Sequence, residues 1–144
     1  FLDGFSPQKC PEIWSVEFLS QVIKKLNPEG VLLTYSSSAA VRKTLIDLKL
    51  EIFNIKANTK IYNSWSSGTL ARRNFINHEF KDNPYIENLS TMQKEHLCTK
   101  SSIPYRDPKG VSKSEEILKT RKEEQTISKL KKTNLWRKKW EITN

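Results

Sequence analysis

Apolar positions in the first half of the chain switch between two periods. Phe1-Leu2 is a short apolar pair stopped by Asp3-Gly4 and Pro7, the pattern of a buried strand ending in a tight turn. Ser15 is placed to cap a helix whose Phe18, Leu19, Val22, Ile23 and Leu26 share one face. Lys24 and Lys25 suit its last turn, and Asn27-Pro28-Glu29-Gly30 ends it. Val31 to Tyr35 is a continuous apolar run, as expected of a central strand covered on both faces. Ser36-Ser37-Ser38 can cap a second helix, Ala39 to about Leu48, with Val41, Leu45 and Leu48 inward. Leu50 to Ile55 reads as the next strand. Strand, helix and strand with short joints predict crossovers and parallel neighbours, hence an α/β sheet.

Beyond this the pattern is looser. Asn58 to Ser67 is turn-rich, with Ile61, Tyr62 and Trp65 as a short edge strand and Gly68 to Arg73 as its hairpin return. Residues 74–89 show no period. Ser90 caps a short helix through about Cys98, and Ile103 to Pro108 is extended because its prolines exclude helix. Ser112 and Glu115 have capping-box spacing and open a charged helix running to Leu130. Trp136 and Trp140 stand one helical turn apart, spaced either to dock a helix or to stack on bases. The division suggested is residues 1–73 as sheet and residues 74–144 as a partly helical extension.

Composition changes this picture in one respect. The chain has 144 residues, 25 Lys and Arg against 16 Asp and Glu, and a net charge of +9. The excess is concentrated at the end, where Lys129, Lys131, Lys132, Arg137, Lys138 and Lys139 face Glu141 alone among acids. Such a patch favours a polyanionic partner, most simply nucleic acid. No apolar run is long enough for a membrane helix. Cys10 and Cys98 lack metal spacing and read as two thiols of a reducing cytosol. His78 and His96 have no companions for a metal or a triad and read as surface residues.

Asp3 is the candidate for chemistry. At the carboxyl end of a strand it lies where open α/β sheets bind ligands, although a turn Asp bonding its own backbone has the same spacing. Ser6, Tyr35 and Ser36 fall on that same edge. Arg72 and Arg73 are candidate phosphate contacts or simple surface cations. There is no Gly-rich nucleotide loop, since the chain has four glycines and no G-x-G-x-x-G.

Phe1–Pro7, Pro11-Glu12-Ile13-Trp14-Ser15, Pro28 to Ser36 and Val41-Arg42 closely resemble one tRNA methyltransferase group. It is the methyltransferase domain of the enzyme that completes 5-methylaminomethyl-2-thiouridine at the tRNA wobble position. The resemblance covers about residues 1–55. Ser67 to Ala71, Glu95-His96-Leu97, Ile103 to Pro108 and Trp136 to Trp140 look like the tail of cyanobacterial stand-alone relatives. The family's Gly-Phe-Gly near the final hairpin is absent, and Glu29 stands where the family usually has Gly.

The resemblance implies the C-terminal half of a Rossmann-like sheet that uses S-adenosylmethionine, followed by a mostly helical basic extension. The cofactor loop and the first strands would precede residue 1. Asp3 would be catalytic, with Phe5, Ser6, Pro7, Trp14, Tyr35 and Ser36 around the substrate and Phe5 or Trp14 stacking on the wobble base. Arg42, Arg72, Arg73, Lys131, Lys132, Arg137, Lys138 and Lys139 would contact RNA near the tRNA anticodon. Such an enzyme would be cytoplasmic, with no membrane and no metal. The competing readings are a non-enzymatic RNA-binding domain and a methyltransferase acting on a small amine.

Overall fold

A computed structural model describes residues 1–56, 68–73 and 83–142. Its sheet has four strands, β1 (Val31–Thr34), β2 (Leu50–Ile55), β3 (Gly68–Arg73) and β4 (Ile86–Glu87), in the order β1-β3-β2-β4. Five α-helices accompany it among the described residues: α1 (Val16–Lys25), α2 (Ala39–Asp47), α3 (Thr91–His96), α4 (Ser114–Ile127) and α5 (Thr133–Lys139). The mixed α/β class is the expected one.

The opening residues do belong to the sheet. Leu2 forms a parallel bridge with Thr34, and its N–H donates to the Leu33 carbonyl at 2.8 Å. The strand tip and β1 are thus parallel neighbours, as the crossover through α1 predicted. The second crossover differs. β1 and β2 run in the same direction but do not touch, because β3 lies between them, antiparallel to both. Gly68 to Arg73 is therefore an inner strand and not the return of an edge hairpin. Its polar side chains hid this: Thr69 and Arg72 are buried, but each has specific partners. Gly68 is needed for the fit, since a Cβ there would sit 2.5 Å from the Thr34 carbonyl oxygen. Ile61, Tyr62, Trp65 and His78 lie outside the described residues.

The helix signals near the caps were mostly legible. Ser15 accepts from the Phe18 N–H at 3.2 Å, and α3 has a reciprocal Ser90–Gln93 capping box. Two differ. Ser38 makes no side-chain cap at α2, and Ser36 instead accepts from the Ser38 N–H at 3.4 Å. At α4 only half of a capping box forms, displaced by one residue, because the N-cap Lys113 has no side-chain acceptor. The Ser112 N–H is taken by the Asp107 carboxylate at 3.2 Å, so the reach-back is from Glu116 to the Lys113 N–H, also 3.2 Å. That helix stops at Ile127, where Ser128 turns to extended backbone, short of Leu130.

Trp14, Ile23, Leu32, Ala40, Val41, Leu45, Leu50 and Ala71 form the apolar core. Tyr105 and Ile117, from the stretch read as an extension, lie in the same cluster. Tyr105 also forms a parallel bridge with Ser15, and the Arg121 guanidinium lies over its ring at 4.3 Å. No described helix is long and apolar enough to cross a membrane.

Candidate active site at the carboxyl edge of the sheet

Asp3 leaves the sheet one residue after the Leu2 bridge, at the end where β1 finishes in Thr34. It is exposed. The loop that carries it is held by two aromatic donors on consecutive carbonyls. The Tyr35 hydroxyl donates to the Gly4 carbonyl at 2.8 Å, and the Trp14 indole N–H donates to the Phe5 carbonyl at 2.8 Å. The two rings meet edge to face with centroids 6.0 Å apart. Gly4 packs so closely on Ile13 that a Cβ would overlap that side chain's tip, 2.1 Å away. The Ser6 carbonyl accepts from the Lys9 and Cys10 N–H groups, and Pro7 is buried. A segment rich in turn residues is thus fixed at both ends. The Tyr35 hydroxyl is held above its ordinary pKa, first by burial and second by the charge of Asp3, which places the carboxylate within electrostatic reach of that ring.

The predicted site residues separate into three groups. Asp3, Phe5, Ser6 and Tyr35 come together at this edge; Phe5 is 76% exposed and open to a stacking partner. Trp14 does not share that role. It is 0% exposed, and its ring faces are covered by the core, so it holds the loop and cannot stack on a base. Ser36 is also buried, with its hydroxyl and carbonyl engaged by Ser38 and Thr69.

Of the arginines predicted to meet phosphate, Arg42 and Arg72 are internal and Arg73 is half-buried. Arg42 is 3% exposed and donates to the Thr69 hydroxyl, the Asn54 side-chain carbonyl and the Gly68 carbonyl at 2.8–3.0 Å. Burial lowers its pKa to about 10. Arg72 is buried and pairs with Glu51 at 2.9 Å, with its guanidinium over Phe53. Arg73 donates to the Ile23 carbonyl near the end of α1 at 2.9 Å. The register puts Arg72 opposite Val31 and Arg73 opposite Leu50, at the end of the sheet away from Asp3.

The basic tail is on the outside. Lys131, Lys132, Arg137, Lys138 and Lys139 are all exposed, and Lys139 pairs with Glu95 at 2.6 Å. The two tryptophans beside them dock. Trp136 stacks on His96 at 3.9 Å and donates to the Met92 carbonyl, while Trp140 donates to Glu95. His96 is consequently half-buried under the Trp136 ring. Burial first, then the charges of Arg137 and Arg42, push its pKa down to about 4.

Sequence reading missed the polar chain joining these regions. Ser36 carbonyl, Thr69 hydroxyl, Arg42 and Asn54 are linked in series, and Gln93 at the start of α3 donates to Asn54 at 2.8 Å. An Asn within a strand, where that residue is disfavoured, was the available signal. A cleft of about 720 Å³ lies between α1 and the turn Asp107–Gly110, but residues 1–7 do not line it. Glu17 there meets Arg106 and the Asp107 N–H, and Glu12 meets Ser114 through Oε1 while its Oε2 is buried without a hydrogen-bond partner. Among the described residues no cluster of His, Cys, Asp and Glu is suited to a metal.

A family of S-adenosyl-L-methionine-dependent methyltransferases matches residues 1–61. An uncharacterized protein, MJ0670 of Methanocaldococcus jannaschii, is 26% identical over 125 residues, which is 85% of this chain and 32% of that protein. The tRNA 5-methylaminomethyl-2-thiouridine biosynthesis bifunctional protein MnmC of Pseudomonas putida is 38% identical over 47 residues, 33% of this chain and 7% of that protein. The crystal structure of MnmC2 from Aquifex aeolicus superposes with a TM-score of 0.70 at 24% identity, covering 85% of this chain and 36% of that one. The chain thus spans about a third of the archaeal relative and of the solved structure. Residues 1–61 are thus similar to an S-adenosyl-L-methionine-dependent methyltransferase family, and the chain shares the fold of MnmC2 over most of its length.

Proposed function

We propose that this chain is the acceptor side of a tRNA methyltransferase that methylates the aminomethyl nitrogen of 5-aminomethyl-2-thiouridine at the wobble position. The observation that carries the reading is an exposed carboxylate, Asp3, on a loop clamped at the carboxyl edge of the sheet beside an exposed Phe5. S-adenosylmethionine, when bound, supplies an electrophilic sulfonium methyl. The four glycines of the chain do not build a cradle for its adenosyl part, so no geometry toward it is assigned to these residues.

The protein's own contribution is to the amine. A primary amine is mostly an ammonium at neutral pH, and its lone pair must be free before nitrogen can bond to carbon. The Asp3 carboxylate accepts a hydrogen bond from this group, orients it and takes or relays its proton. With S-adenosylmethionine bound, the freed lone pair would displace the methyl group from its sulfur, the ammonium proton having passed to Asp3. Phe5 stacks on the uracil ring once the base has left its neighbours, as single-stranded loop bases do. Alignment of nitrogen, methyl and sulfur then depends on how firmly the loop is held. Such an enzyme works in the cytoplasm, where its tRNA is.

The test uses the full protein that contains this chain and tRNA carrying 5-aminomethyl-2-thiouridine. Asp3→Asn is expected to lower turnover by about 10²–10⁴-fold with cofactor affinity unchanged. Near-wild-type turnover removes Asp3 from catalysis. Equal methylation of a free small amine would favour the small-molecule reading over tRNA.

A further inference from the structure

We infer that the helix pair α3–α5 is an RNA-phosphate platform that presents the substrate strand to the Asp3 edge. The inference rests on the reading that the substrate is RNA, and it adds which surface binds it and from which side. Three observations converge. First, of the eight cations predicted to touch RNA, the structure withdraws Arg42, Arg72 and Arg73 into internal contacts. The predicted cations that remain outside are on α5 and the two residues before it.

Second, α5 has two distinct sides. Thr133, Trp136 and Trp140 turn inward, toward Ser101, Met92, His96 and Glu95. Glu95 is occupied by Lys139 and Trp140. Among the described residues, Lys131, Lys132 and Lys138 are in no ion pair. An outer face with several cations and its nearest acid already engaged has the charge of a phosphate-binding surface and little counter-charge of its own.

Third, the location is determined by the polar chain. The Gln93 amide joins α3 to Asn54 at the carboxyl end of β2, and Asn54 joins through Arg42 and Thr69 to Ser36, next to Tyr35. Tyr35 holds the Gly4 carbonyl. The α3–α5 pair therefore stands at the same edge of the sheet as Asp3, and the remaining basic residues near α1, Lys24 and Lys25, stand at the other. A strand whose phosphates lie on α5 can reach the catalytic loop without crossing the sheet.

The experiment compares two double variants of the full protein that remove equal charge, Lys132→Gln/Lys138→Gln on the platform and Lys24→Gln/Lys25→Gln at the opposite edge. Binding of tRNA is read by anisotropy across a salt series, and turnover is read across a tRNA concentration series. The platform variant is expected to weaken binding by about ten-fold or more and to reduce the slope of log K against log salt by about one to two. The loss should appear as a higher tRNA concentration at half-maximal turnover, and Lys132→Arg/Lys138→Arg should restore binding. The opposite-edge variant should bind as wild type. Equal loss from both variants would mean that only net charge matters and would overturn the platform. Wild-type binding by the platform variant, with tRNA still methylated, would overturn the platform while leaving the proposed reaction standing. Failure of the unaltered protein to bind tRNA, with charge-dependent binding to vesicles of anionic lipid instead, would overturn both in favour of a membrane surface.

Discussion

The Asp3 loop is held in place by groups that lie outside it. Gly4 and Phe5 contribute carbonyls, and the donors come from Tyr35 at the end of β1 and Trp14 before α1. Both donors sit on aromatic rings with few rotatable bonds, so the loop is held by rigid struts. Tyr35 is partly exposed, and water can replace its hydroxyl as a partner for Gly4. Tyr35→Phe should therefore cost only about 0.5–1.5 kcal/mol in denaturant unfolding. Turnover should fall more steeply, by about ten-fold or more, because misplacement of the order of an ångström already costs about 10²-fold in an aligned displacement. A kcat equal to wild type would show that Trp14 alone suffices to hold the loop. The arginines show why residue type was an unreliable guide to partner. Arg42 and Arg72 have the composition of phosphate contacts, but their long apolar stems and planar donor sets are equally suited to binding Thr69, Asn54 and Glu51 inside the protein.

At the level of elements, α5 depends on a neutral imidazole. His96 is stacked face to face on Trp136, with an interplanar angle of 7°, and Arg137 and Arg42 add like charge. Its pKa is pushed from 6.5 to about 4. The sign follows from linkage. Above pH 6.5 the residue is neutral in both folded and unfolded chains and there is no penalty; between pH 6.5 and 4 the unfolded chain takes up a proton that the folded one resists, so stability falls. The pKa-unit conversion sets a ceiling of roughly 3 kcal/mol on the full loss, which solvent screening at this half-buried ring reduces. Acidification across this range should thus loosen α5, which tryptophan fluorescence of the wild-type protein can follow. His96→Phe should remove that part of the pH dependence. A profile unchanged in the variant would place the acid sensitivity elsewhere. The docking itself was half legible: two tryptophans one turn apart announced a partner face, but nothing local said that the partner was α3 and not a base.

For the molecule as a whole, the sequence was read well where each signal was local and poorly where satisfaction came from a distance. The α1 and α3 caps, β1, β2 and the crossover through α1 followed from spacing. The position of β3 did not, because its buried Thr69 and Arg72 look exposed until Ser36, Arg42 and Glu51 are brought to them. The glycines bear on a last question, whether these residues can hold the cofactor unaided. Gly4 is packed on Ile13, Gly30 on Leu26, and Gly68 on Thr34, while Gly110 lies in an exposed turn at φ 69°. Each has a local structural use, and none opens a backbone surface on which an adenosyl group could rest. Basic charge, by contrast, is present in full on α5. The polypeptide of residues 1–144 is therefore expected to show no saturable heat of S-adenosylmethionine binding in calorimetry up to millimolar ligand, yet to bind tRNA in a salt-dependent manner. Saturable micromolar binding of S-adenosylmethionine would show that a cradle without a glycine loop exists within the chain. Loss of both activities would point instead to a polypeptide that does not fold alone, which circular dichroism of the same sample would reveal.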